Sequence, residues 1–237
     1  MNGMTRTHWA AITAVVLALL FAGAATVATA GDGGGRSGAG TPAPDSADAG
    51  FARDMSVHHQ QAVEMSFIVR DRTENEEIRR LAYDIANTQA NQRGMMLGWL
   101  DLWGLPKVEA GTEPMAWMHG PDAGRGGDGG GEGSGHGGHG GANGHGSPDD
   151  EGRLMPGMAT KAELKELGRL SGKEAEVLYL RLMIAHHNGG IAMAEGCVER
   201  CEVGAERNLA GTMVQGQESE VELMVGLLKK RGARPEL

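Results

Sequence analysis

The chain carries one motif twice in a fixed register. Met55 is followed by His58 and His59, and 128 residues later Met183 is followed by His186 and His187. The same shift, without a gap, places Asp48 on Glu176, Phe51 on Tyr179, Leu81 on Leu209, Gln89 on Gln217, Met96 on Met224, Leu100 on Leu228 and Gly104 on Gly232. A register held over about 55 positions is the mark of an internal repeat, and a unit of that size cannot bury its own apolar face. The two copies are therefore expected to pack on each other as one domain.

Within each copy the apolar residues recur at helical spacing, and no segment alternates with a period of two. The first copy, residues 46–105, reads as a helical hairpin. A helix over about 46–70 is followed by Thr73 and Glu76, whose spacing suits a capping box, and a second helix runs from near Glu74 to Gly104, with Pro106 just beyond. In the second copy, residues 159–237, Thr160 with Glu163 and Ser171 with Glu174 offer two further boxes. They would open a short helix over 161–170 and a long one over 173–197, with a last helix over about 203–231. The fold class expected is all-α, an antiparallel four-helix bundle made of two sequence-related hairpins.

The remaining segments have little to bury. Residues 9–28 are an apolar run that follows Arg6 and ends in Ala28, Thr29 and Ala30, which reads as an export signal over residues 1–30 or as an uncleaved membrane anchor. Either places the protein outside the cytoplasm, secreted or tethered through that segment alone. Residues 31–45 form a flexible tether. Residues 106–158 read as a disordered linker, because the stretch 124–146 holds 14 glycines and too few apolar groups to offset the entropy of ordering them. The net charge of -9 argues against a nucleic-acid partner, which requires clustered Lys and Arg. Cys197 and Cys201 are expected to form a disulfide in the oxidising compartment that an export signal implies, particularly if Cys201 has left its helix. A site of two thiolates is the alternative.

On a helical wheel His58 and His59 fall about 60° and 40° to either side of Met55, with the small Ala62 on the same stripe. Met183, His186, His187 and Gly190 repeat the arrangement. Facing inward, four imidazoles and two thioethers would converge on the bundle interior, where such bundles hold metals. Gln89 and Gln217 are candidates to orient the imidazoles. Further soft or borderline ligands are Met115, Met118, His119, His136, His139, His145, Met155 and Met158. Thioether with imidazole suits copper, Cu(I) over Cu(II), while other metals remain open. The inward Glu set of a di-iron bundle is missing: Glu64 faces outward with Ala192 as its mate, and Glu220 is matched by Gln92.

The stretch FARDMSVHHQQAVEM at 51–65, the MPGMAT that begins at Met155, ELKEL, and LRLMIAHHNGGIAMAE at 180–195 resemble the domain of unknown function 305 family. The resemblance covers about residues 46–105 and 154–230. It implies a secreted or periplasmic ferritin-like bundle, and a characterised cyanobacterial branch of that family is similar to copper-binding, copper-tolerance proteins. Met55, His58, His59, Met183, His186 and His187 are the positions that match the family motif. Glu176 and Gly190 depart from it, as does the Gly/His insert.

The function expected is copper capture, buffering or delivery outside the cytoplasm, with the metal ion as partner and without catalysis, because no nucleophile–base arrangement or phosphate-cradling loop is present. A haem or di-iron protein and a metal-free interaction bundle are the alternatives.

Overall fold

A computed structural model describes residues 41–119 and 152–235. The readings of 1–30 as a signal, of most of the tether, and of the Gly/His tract with His136, His139 and His145 lie outside the described residues. The described residues contain helices and no strand. Among them no helix is long and apolar enough to cross a membrane.

The described residues form five α-helices, four of them in the repeat register. In the first copy, α1 spans Ala47–Arg70 and α2 spans Glu76–Trp103; in the second, a short α3, Lys161–Arg169, precedes α4, Gly172–Arg200, and α5, Gly204–Lys230. The ends show which local chemistry prevailed. Ser46 caps α1 by accepting the Ala49 N–H, and Thr160 with Glu163 forms the expected box at α3. The expected Thr73 box does not form. Asn75 caps α2 instead, accepting from Ile78, because buried Thr73 takes the Asn75 N–H and donates its hydroxyl to Glu176 across the bundle. Ser171 likewise makes no side-chain cap at α4; the Gly172 N–H donates to the carbonyl of Arg72 in the other hairpin, so a tertiary bond replaces a local one. Both hairpins end alike. Gly104 and Gly232 adopt φ of +67° and +69°, and the next residue donates back to Leu100 or Leu228.

Helices α1 and α4 form the contact between the hairpins, and they run antiparallel. Asp48, near the start of α1, accepts the N–H groups of Glu202 and Val203 just past the end of α4, while Thr73 past the end of α1 reaches Glu176 near the start of α4. Two apolar clusters result. One gathers Met65, Ile78, Leu81, Tyr179, Leu180, Met183 and Leu228; the other gathers Phe51, Met55, Met96, Met155, Met158, Met193, Cys197 and Met213.

The linker reading of 106–158 is corrected at both of its ends. Residues 105–119 return along α1, where Asp54 accepts the Met115 N–H and the Trp117 indole N–H, and Trp117 packs against Gly50 and edge-on to Phe51. Met155 and Met158 are buried, and Gln61 brackets Ala159 through both its amide atoms. The signal was in the sequence: Trp117 and these methionines are large apolar groups that a solvated linker would not carry.

The segment Met155–Ala159 lies flush on the α4 backbone because two glycines permit it. Gly157 has φ of +73° and faces the carbonyl of Ala185; a Cβ at Gly189 would fall on the carbonyl of Pro156. Gly189→Ala is therefore expected to destabilise the fold by about 1–3 kcal/mol in urea unfolding. Gly94→Ala meets nothing within 4 Å and should stabilise it by about 0.5–1 kcal/mol.

Candidate metal centre

His58 and His59 on α1 face His186 and His187 on α4, and all four side chains are fully buried. The rings of His58 and His186 lie 3.8 Å apart between centroids, and those of His186 and His187 lie 6.4 Å apart. Each Nε2 is bonded. His58 donates to the carbonyl of Pro156 at 3.2 Å, and His186 to the carbonyl of His58 at 3.0 Å. His59 meets Gln92 Oε1 at 2.8 Å, and His187 meets Glu220 Oε2 at 2.7 Å. Carbonyls and carboxylates only accept, so the proton resides on Nε2 and Nδ1 carries a free lone pair. None of the four Nδ1 atoms has a hydrogen-bond partner.

Burial keeps His58, His59 and His186 neutral. Loss of hydration pulls His58 down to about 4 and His59 to about 3, and pulls His186 well below its ordinary value, with the neighbouring imidazoles adding to the effect. An unpartnered buried polar atom costs about 1–3 kcal/mol, and here there are four on two facing helices. A neutral imidazole with Nε2–H donated to an acceptor and Nδ1 bare is the state in which histidine binds a metal. The residues fit a metal ion.

The methionines are divided between the two clusters. Each precedes its histidines by one turn, and the two helices are antiparallel, so Met55 and Met183 lie on opposite sides of the imidazole layer. Among the described residues no three of the histidines bring ring nitrogens within 4.8 Å of one another. The donors thus form a layer with a thioether on each side and do not meet at one point.

Gln89 and Gln217 do not orient the imidazoles. Both are buried, Gln89 with neither amide atom partnered and Gln217 with its Oε1 free and set against Gly190. The residues that do orient them, Gln92 and Glu220, stand one turn further on. Their repeat register is visible in the sequence, but nothing there shows that they reach the rings. Of the auxiliary candidates, Met155 and Met158 are core, Met115 is half-buried, Met118 packs on Gly196, and His119 is exposed. A cleft of about 670 Å³ lies between α1 and residues 107–117, with none of the four histidines in its wall.

Cys197 and Cys201 form a disulfide with Cα atoms 4.8 Å apart, and Cys201 has left the helix into extended backbone. Asp48, Cys201 and Glu206 are a second group of ligand-type residues with atoms within 4.8 Å of one another. Two of its three donor groups are otherwise engaged. The sulfur is in the disulfide, Asp48 holds the start of α5, and Glu206 occupies the position that Ile78 has in the first copy. Burial, then the charge of Asp48, pushes Glu206 up to about 9, so it is held as the neutral acid.

The domain of unknown function 305 family, DUF305, matches residues 48–228. The chain belongs to this family. A DUF305 protein of Streptomyces coelicolor, described as secreted, is 59% identical; the match covers 81% of this chain and 98% of that one, with a TM-score of 0.65. A DUF305 fragment from Deinococcus radiodurans is 27% identical over 78% of this chain and 96% of its own, at a TM-score of 0.56. CopM in its Cu(I)-bound form shares the fold at 18% identity, covering 77% of this chain and 96% of that one, with a TM-score of 0.53. No curated protein matches.

Two opposite pH dependences follow. The depressed imidazoles contribute stability that is present above the ordinary histidine value of 6.5 and is lost as pH falls toward 4 and 3. Glu206 contributes stability present below 4.5 and lost as pH rises through about 9, at up to about 1.4 kcal/mol per pH unit. In urea midpoints measured against pH, Glu206→Gln should remove the fall in stability between about pH 4.5 and 9 and leave the limb below pH 4.5 unchanged.

Proposed function

We propose that this DUF305 protein binds copper outside the cytoplasm and serves in its capture, buffering or delivery, without catalysis. The observation that carries the reading is the layer of four buried imidazoles with every Nε2 tied and every Nδ1 bare. His58, His59, His186 and His187 would supply nitrogen donors, and Met55 and Met183 thioethers from either side. This soft and borderline set favours Cu(I). The CopM structures of the same fold were obtained with Cu(I), Cu(II) and Ag. The secreted description of the Streptomyces relative and the apolar N-terminal run both support an extracytoplasmic site.

The residues prepare the site in three ways. Bonds to Pro156, His58, Gln92 and Glu220 fix the tautomers before the cargo arrives. Burial excludes water from the donors. Neutral imidazoles give up no proton on binding, so for His58, His59 and His186 competition by protons begins only well below pH 6.5.

Replacing Met55, His58 and His59 by Leu, Gln and Gln should lower Cu(I) affinity by at least about 100-fold in competition titrations, with helical CD retained. The Met183, His186, His187 triple should do likewise, and wild-type affinity should be nearly flat from about pH 6 to pH 8. Unchanged titrations in both triples would mean that the histidines are core residues and the copper assignment is wrong.

A further inference from the structure

The two halves of the imidazole layer differ in one respect that bears on what each half prefers to bind. His59 and Gln92 are 33 residues apart, as are His187 and Glu220, and the two pairs are repeat mates. Their hydrogen bonds agree to within 0.1 Å, at 2.8 and 2.7 Å. Gln and Glu have the same shape. What differs is one unit of charge, held behind a fully buried ring.

Resting on the copper reading above, we propose that Gln92 and Glu220 set the charge preference of the two half-sites: the His187 side favours a divalent ion and the His59 side a monovalent one. The carboxylate stands on the far side of the imidazole from the bare Nδ1, one ring-width from any ion bound there. Its attraction scales with the charge of that ion, so it adds to a divalent ion twice what it adds to a monovalent one. It also makes the imidazole a stronger donor, as a carboxylate behind a metal-binding histidine does, whereas an amide does so far less. Glu220 is itself partly exposed, at 27%, which weakens its field but leaves the contrast with a neutral amide. Gln217, which meets Gly190 one turn beyond His187, is buried and uncharged and does not cancel it. A protein handling copper in both oxidation states would thus have one seat suited to each.

The test uses full-length protein with Ag(I) as the monovalent probe and Cu(II) as the divalent one, each titrated calorimetrically into wild type, Glu220→Gln, Gln92→Glu and the double exchange. Both substitutions keep side-chain shape, and thermal melts check that the fold is kept. Glu220→Gln should lower Cu(II) affinity on the order of tenfold more than Ag(I) affinity, and Gln92→Glu should move the ratio the other way by a similar factor. The double exchange should restore the wild-type ratio. A purely structural role for Glu220 would weaken both ions equally. A ratio that stays within about twofold of wild type in both single variants overturns the inference while leaving the copper reading standing. A wild-type protein that binds neither ion removes both.

Discussion

Four histidine rings buried away from the surface are the constraint on which the rest of this structure depends. A buried imidazole must place its N–H somewhere, and each does so on a different element: the Pro156 carbonyl, the α1 backbone at His58, α2 through Gln92 and α5 through Glu220. These four bonds tie both hairpins and the Met155–Ala159 segment to one layer. Small residues make the approach possible. Gly189 admits Pro156, and Gly190 admits the amide of Gln217. The apolar clusters on either side stabilise the bundle in the ordinary way, but the polar layer between them sets which hairpin faces meet.

Much of this was legible because the chain states its plan twice. The 128-residue register placed the helices, their terminal glycines and the paired histidines, since each rests on local periodicity or backbone conformation that a sequence displays directly. What failed to show were choices settled by the other hairpin. Thr73 has the spacing of a cap and is drawn away by Glu176; Ser171 loses its role to the carbonyl of Arg72. The partners of His59 and His187 are Gln92 and Glu220, one turn beyond the Gln89 and Gln217 that the sequence suggests. All four amide or acid side chains sit on one face, and only the depth of packing decides which reaches a ring.

The departures from symmetry are as informative as the repeat. His186 donates to the backbone at His58, yet His58 does not return the bond to His186 and turns to Pro156 instead. Among the described residues the Met155–Ala159 segment has no counterpart before the first copy, and it breaks the symmetry at that ring. At the two far corners of the bundle, Thr73 and Cys201 are repeat mates, as are Ile78 and Glu206. One copy holds its corner with a hydroxyl and a hydrocarbon, the other with a disulfide and a neutral acid.

Gln92 and Glu220 also say something about ancestry. Were the same bundle assembled from two identical hairpins, a single gene would write both positions, and any change behind one ring would appear behind the other. A symmetric pair can be tuned only as a pair. Joining the hairpins in one chain removes that restriction, so each half can diverge by single substitutions while its twin holds the original arrangement.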